Sequence, residues 1–255
     1  LKIFNVRPIS KNLLIMPFDF LLMIILIFKS ISFLRKNKIN ILISTGGYMS
    51  LPLCIGAKIL NIKLLLFEPN MVLGRSNRFF LSYCQKIFCY SNNVKKFPIK
   101  FQSKIKVIPA LLRKNFYDKR DSNNSLHTIN LLIIGGSQGA KIFDDLVKNT
   151  IIQLSKKYKL KVYHQTSSIN FESFKKTYEN NNINCELFNF NDDVINFMQK
   201  TDLCITRAGA STLAELNFTE IPYLAIPLPT AKDNHQFENA YFYNKLGFNW
   251  LLNQK

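Results

Sequence analysis

The run LLIIGGSQGA, residues 131–140, decides the fold. Its four leading apolar residues show no polar alternation, which suits a strand covered on both faces in a parallel sheet. They run straight into Gly135 and Gly136, which permit a tight turn and close backbone approach, and then into helical spacing from Lys141. Strand, glycine turn and helix in this order make one βα unit. The N–H groups of such a turn, with a helix dipole behind them, favour a phosphate, and Ser137 adds a hydroxyl. The turn is neither a Walker A loop, since no Gly-Lys-Ser/Thr follows, nor a GxGxxG dinucleotide fingerprint. Taken alone it is packing geometry as readily as ligand geometry. With Gln138 and Gly139 completing the turn, a diphosphate is the reading adopted.

Outward from this unit, short β-type runs alternate with helical stretches. Before it lie Ile39–Ser44, Ile62–Phe67, Lys86–Tyr90 and Ile105–Ile108, with helices expected at Leu51–Leu60 and Gly74–Ser82. After Ile129–Ile134 come strands at Leu160–Tyr163, Cys185–Phe188, Leu203–Thr206 and Tyr223–Ile226, separated by helical segments near 140–158, 169–181, 192–200 and 211–218. Lys114–Thr128 is polar and rich in Asn and Ser, as a linker is. The expectation is an α/β protein with two Rossmann-like domains, 1–113 and 129–255, joined by 114–128 and facing a cleft.

Two further strand ends carry candidate chemistry. In CITRAGASTLAE (Cys204–Glu215) a short turn follows the strand, and Ser211 or Thr212 is placed to cap the next helix. Arg207 on that turn is either solvated or directed at phosphate or sugar. Glu215, four residues after Ser211, returns to the same helical face. It reads either as an ordinary acid near a helix start or as an acceptor for the paired hydroxyls of a ribose. PLPTAKDNHQFEN (Pro227–Asn239) reads as a loop that crowds Asp233, Asn234, His235, Gln236 and Asn239 together, as a hydroxyl-rich ligand requires. In the first half, STGGYMSLP (Ser44–Pro52) and FEPNMVLGRSNR (Phe67–Arg78) also follow strands, the latter bearing Glu68, Asn70 and Arg75. No Ser–His–Asp or Cys–His arrangement and no zinc set can be assembled.

Composition narrows the classes. Hydrophobic residues make up 47% of the 255 and charged residues 20%, which excludes a disordered or fibrous chain. Lys and Arg number 34 against 16 Asp and Glu. The excess is uneven: residues 1–110 hold 17 basic and 2 acidic side chains, a net +15, and 111–255 hold 17 and 14, a net +3. Either coding bias or an anionic partner explains the total, and the asymmetry favours the partner. Nucleic acid is not expected, because the basic residues form no recognition motif and no aromatic platforms interleave them. The five cysteines form no CxxC pair and read as reduced core residues of a cytosolic compartment. No cleavable signal is visible, and Leu1 in place of Met implies a start further upstream.

Phe18–Phe28 (FDFLLMIILIF) is the most apolar stretch, with nine uninterrupted apolar residues from Phe20 to Phe28. Nine residues cannot cross a hydrocarbon core about 30 Å thick. A spanning helix would have to extend across Asp19 and Pro17 and bring a carboxylate into the hydrocarbon, which is costly, and two further readings stand beside it. One is a helix buried in the core. The other is an interfacial helix whose following Lys29, Arg35, Lys36 and Lys38 meet anionic headgroups.

The succession STGGYMSLP, FEPNMVLGRSNR, LLIIGGSQGA, YHQ, FNFNDDV, CITRAGASTLAEL and PLPTAKDNHQFENA resembles the MurG family of peptidoglycan N-acetylglucosaminyltransferases along essentially the whole chain. The resemblance implies the two-domain GT-B fold of glycosyltransferase family 28. It also implies a UDP-N-acetylglucosamine donor, a lipid-linked muramyl-pentapeptide acceptor, and a peripheral place on the cytoplasmic face of the bacterial inner membrane. No metal or other cofactor is implied, and the oligomeric state is left open.

Carried over residue by residue, Ser137 matches the serine near the donor diphosphate, Arg207 and Thr212 the signature loop, and Glu215 the glutamate on the ribose. Asn191 sits at the uracil position, His235 and Gln236 match the polar pair on the sugar, Asn70 the asparagine of the family's HEQN, and Arg113 the arginine closing GNPVR. HEQN is here FEPN (Phe67–Asn70) and GNPVR is PALLR (Pro109–Arg113). The glycine-rich loop with the family's candidate base histidine has no counterpart, so Glu68 is the first residue to test as base. By the family pattern, segments are expected before Leu1 and after Lys255, and the 255 residues alone are expected to turn over poorly. The rival readings are a GT-B enzyme with another acceptor and a non-catalytic remnant.

Overall fold

The computed structural model describes residues 6, 12, 14–117, 128–135, 143–189 and 194–254. The chain forms two compact units, Leu1–Ala110 and Leu111–Lys255.

The first unit is built on four strands, β1 (Ile41–Ser44), β2 (Lys63–Glu68), β3 (Lys86–Cys89) and β4 (Ile105–Val107), ordered 1-2-3-4. All are parallel, with Ile41 beside Lys63, Leu65 beside Lys86 and Ile87 beside Ile105. Its core gathers Leu64, Leu66, Phe80, Leu81, Ile87 and Cys89.

Among the described residues this unit has the α-helices α1 (Met16–Lys36), α2 (Leu51–Ile59) and α3 (Arg75–Phe80). The apolar stretch is therefore part of a 21-residue helix, longer than its nine uninterrupted apolar residues suggest, and it is not a buried core helix. Its buried positions, Asp19, Met23, Ser30 and Leu34, form one narrow stripe at helical spacing. Phe18, Phe20, Leu21, Ile25 and Phe28 face outward, Phe28 with 67% of its surface exposed. The contact stripe packs on α2. At Gly56 of α2 an added Cβ would stand 3.4 Å from Leu34 and 3.5 Å from Ile31, so the missing side chain lets the helices approach.

The second unit holds β5 (Ile129–Ile134), β6 (Leu160–Gln165), β7 (Asn184–Phe188), β8 (Leu203–Thr206), β9 (Tyr223–Ala225) and β10 (Asn249–Leu251), ordered 10-9-8-5-6-7. The registered pairs are all parallel. β5 lies at the centre, and its side chains divide between two cores by strand alternation. Leu132 and Ile134 join Tyr163, Leu213, Leu216 and Tyr223, whereas Leu131 and Ile133 join Phe143, Ile151, Val162 and Tyr178. This explains the unbroken apolar run: both faces of β5 are covered. The covering helices are α4 (Lys148–Ser155), α5 (Phe171–Asn180), α6 (Val194–Met198), α7 (Ala210–Phe218) and α8 (His235–Lys245).

Several expectations shift. Lys114–Tyr117, read as linker, forms a 3-10 turn that buries Phe116 to 2% exposure in the second unit's core. Pro227–Asn239 is a loop only as far as Asn234, after which α8 begins. Asp233 and Asn234 adopt φ 56° and 59°, a left-handed pair that ends the loop abruptly. β10, only three residues long, was not among the expected strands, and its Trp250 points outward at 60% exposure.

Candidate functional site

The order 10-9-8-5-6-7 places β5 next to β8, so the chain's direction of winding reverses between them. In open α/β sheets, ligands bind beyond the carboxyl ends of the strands at such a reversal. There β5 leads into Gly135 and β8 into Arg207, and Arg207 N–H donates to the Ile134 carbonyl at 3.2 Å. A cavity of about 610 Å³ opens at this edge, lined among others by Gly135, Arg207, Ser211, Thr212, His235 and Gln236. Its size is in the range of small-ligand sites. A second cavity of about 420 Å³, beside Leu216, Ile221, Phe248 and Trp250, lies where the chain enters β9 and β10 and brings none of the candidate residues together.

Gly135 is buried, and its N–H donates to Gln165 Oε1 at 3.0 Å. Gln165 ends β6 and was not among the site residues expected. Its signal was an amide closing the apolar strand LKVYHQ. Ser137 lies outside the described residues, as does Asn191.

α7 starts at Ala210 behind Gly209, with no side-chain cap bond. The expected cap by Ser211 or Thr212 is therefore not made, and both residues line the cavity instead. Arg207 is 8% exposed. Its Nη1 is shared among the carbonyls of Ile226 (3.0 Å) and Pro227 (3.2 Å) and Gln254 Oε1 (2.9 Å). The guanidinium also lies 5.0 Å from the centre of the Phe143 ring. Burial pushes its pKa down.

His235 is half-buried at the start of α8, with Nδ1 2.7 Å from the Lys232 carbonyl. Gln236 Oε1 accepts the Leu228 N–H at 2.9 Å, which folds the loop back on the helix. Asn239 is a strut, 1% exposed, donating to the Ala208 carbonyl at 3.2 Å.

Glu215 stands on α7 outside the cavity lining. Arg113 Nε donates to its Oε1 at 3.1 Å, across 102 positions of sequence. Glu215 is 6% exposed, and that burial raises its carboxyl above the usual range while Arg113 pulls the other way. The Arg113 guanidinium lies 5.1 Å from the Phe116 ring.

In the first unit Glu68 is 3% exposed, and both its oxygens are engaged. Oε1 accepts from Asn70 Nδ2 (3.0 Å) and N–H (3.3 Å), and Oε2 from Gly74 N–H (2.8 Å) and Asn77 Nδ2 (3.0 Å). A base needs a lone pair directed at its substrate. These four bonds make Glu68 the anchor of the Asn70–Asn77 loop and engage the oxygens that a base would use. Asn70 is held on the same carboxylate. No group of three or more metal-ligating side chains occurs among the described residues.

Residues 130–255 match the sequence model of the glycosyltransferase family 28 C-terminal domain, and residues 6–89 that of the family 28 N-terminal domain. The chain is 88% identical, over all 255 residues, to a Pelagibacter ubique (strain HTCC1062) protein named UDP-N-acetylglucosamine--N-acetylmuramyl-(pentapeptide) pyrophosphoryl-undecaprenol N-acetylglucosamine transferase, covering 72% of it. The chain belongs to glycosyltransferase family 28. A Rickettsia bellii (strain RML369-C) protein of the same name is 35% identical over 256 residues, covering 97% of this chain and 70% of that one. The crystal structure of Acinetobacter baumannii MurG superimposes with a TM-score of 0.72 at 25% identity, over 98% of this chain and 70% of that one. The two parallel sheets are thus the two Rossmann-like sheets of a GT-B glycosyltransferase.

Proposed function

We propose that this chain transfers N-acetylglucosamine from UDP-N-acetylglucosamine to the muramyl 4-hydroxyl of undecaprenyl-pyrophosphoryl-N-acetylmuramyl-pentapeptide, with inversion. The observation that carries the reading is the polar cavity at the β5/β8 reversal, in a chain 88% identical throughout to a transferase of that name. The acceptor oxygen bonds to the anomeric carbon as the bond to UDP breaks. UDP departs with the electron pair, and a base takes the hydroxyl proton. Charge gathers on the diphosphate, beside Gly135 and the uncapped start of α7. N–H dipoles fixed in advance favour that charge without reorganising. We assign the diphosphate to this edge together with Ser137, and the uracil to the neighbourhood of Asn191. Thr212, His235 and Gln236 are assigned to the phosphosugar, and the ribose hydroxyls to Glu215, oriented by Arg113.

The acceptor's lipid tail leaves a bilayer only at about 0.8 kcal/mol per exposed CH₂, so the protein must come to the headgroups. We assign that contact to the outward face of α1, with Lys29, Arg35, Lys36 and Lys38 exposed beside it. The helix is long and apolar enough to cross a membrane by length and composition. Its buried Asp19 and its packing on α2 favour lying along the interface of the cytoplasmic leaflet.

Calorimetric titration with UDP-N-acetylglucosamine, UDP and UDP-glucose tests the donor reading. Binding of UDP, and tighter binding of the N-acetylglucosamine conjugate than of UDP-glucose, is expected. A folded protein that binds none of the three would overturn it.

A further inference from the structure

Arg207 is buried and positively charged on the wall of the cavity, yet the hydrogen bonds of its Nη1 run into the protein. We propose that Arg207 sets the strength with which the donor's sugar is held, as a positioning residue, by fixing the segment that carries His235 and Gln236. The proposal rests on the donor reading given above.

The chain of contacts is continuous. Arg207 Nη1 holds the carbonyls of Ile226 and Pro227, where the chain leaves β9. The Ile226 N–H is itself fixed on the Thr206 carbonyl at 2.8 Å, so the β8 and β9 exits are tied at adjacent points. The next residue, Leu228, donates its N–H to Gln236 Oε1. Two steps therefore connect the guanidinium to the first turn of α8. Gln254 takes a third share of Nη1, and Phe143 backs the planar group at 5.0 Å. The guanidinium is flat, so it lies on the ring while Nη1 donates, a placement that an ammonium does not reproduce. Neutral carbonyls are weaker partners than a phosphate, and an arginine committed to three of them with its face on a ring is held away from free reorientation. The left-handed pair Asp233 and Asn234 leaves the loop little slack, so an error at Pro227 is passed on to His235 and Gln236.

The experiment compares wild type, Arg207→Lys and Arg207→Met by calorimetry with UDP and with UDP-N-acetylglucosamine, recording thermal midpoints alongside. Arg207→Met is expected to lose roughly tenfold in the preference for UDP-N-acetylglucosamine over UDP, the scale of one hydrogen bond, while UDP itself binds within about twofold of wild type. Arg207→Lys should recover part of the preference, and it carries the same test if the Met variant does not fold. A fall in UDP affinity with the preference intact would make Arg207 a phosphate ligand and overturn the proposal. Parallel losses of both ligands with a lowered midpoint would make it a general stabiliser and also overturn it. A wild-type protein with no preference between the two ligands would instead remove the donor-sugar reading on which the proposal stands.

Discussion

Glu215 keeps a carboxylate in a place where burial disfavours its charge, with one partly exposed arginine as compensation. A carboxyl whose folded pKa is raised above its ordinary value of 4.5 adds to stability below that value and loses the contribution as pH rises through the folded pKa. Glu215→Gln should therefore raise the thermal midpoint at pH 7 to 8, and the gain should vanish below pH 4.5. The same variant, and Glu215→Ala more so, should bind UDP about 1–3 kcal/mol more weakly, the cost of a lost charged hydrogen bond. A UDP isotherm unchanged in a folded variant would reduce Glu215 to a helix residue. His164 works in the opposite sense. It is fully buried against Tyr178, with Nδ1 2.9 Å from the phenol oxygen, and burial lowers its pKa to about 4. A histidine held neutral in the fold and titrating at 6.5 when unfolded stabilises above 6.5, and the contribution is lost as pH falls from 6.5 to about 4. Over that window the loss is about 3 kcal/mol. Denaturant midpoints of wild type should fall across it, and those of His164→Phe should be flatter.

Secondary elements were legible wherever local pattern and burial agree. β5 was, because both of its faces are covered. β10 was not, because an edge strand of three residues, one of them the exposed Trp250, is too short to show a period. The start of α8 was hidden by its own polarity: His235, Gln236 and Asn239 look like loop residues, yet each makes a specific bond that the turn at Asp233 and Asn234 permits. α1 escaped in another way. Its nine-residue apolar core suggested a short segment, but Asp19 falls on the buried stripe, so the helix continues past it. With Leu21, Ile25 and Phe28 on one outward face, changing all three to Ser should reduce binding to anionic vesicles even at high salt, and should leave the thermal midpoint nearly unchanged because none is buried. Undiminished sedimentation with vesicles would detach the helix from the membrane role.

At the scale of the molecule, charge and ligand chemistry are divided between the two units. The net +15 belongs to residues 1–110 and +3 to the rest, and the boundary of the compact units falls at the same residue. Each lysine or arginine near an anionic surface adds about 1 kcal/mol, screened by salt. Wild type should therefore bind anionic vesicles more tightly than neutral ones, and the difference should shrink as salt rises. Equal binding to both would assign the excess charge to composition alone. UDP supplied at about 100 times its Kd should stabilise the unit that binds it by about 2.7 kcal/mol. Amide exchange should slow in β5, β8 and α7, and remain unchanged in β1 to β3. Protection confined to the first unit would contradict the placement of the donor.

The sequence by itself determined the α/β class, the strands of both sheets save one, and the strand ends that carry chemistry. All three follow from local patterns: unbroken apolar runs, glycine turns, and polar residues just beyond them. Only the tertiary structure decided which of those polar residues face a cavity and which are struts. Arg113 meets Glu215 across 102 positions, Glu68 is engaged by its own loop, and Arg207 turns its Nη1 toward two carbonyls and an amide. Residue type fixes how many hydrogen bonds a side chain must make. Which partners satisfy them depends on distances set by the packing of strands remote in sequence, and no local pattern encodes those distances.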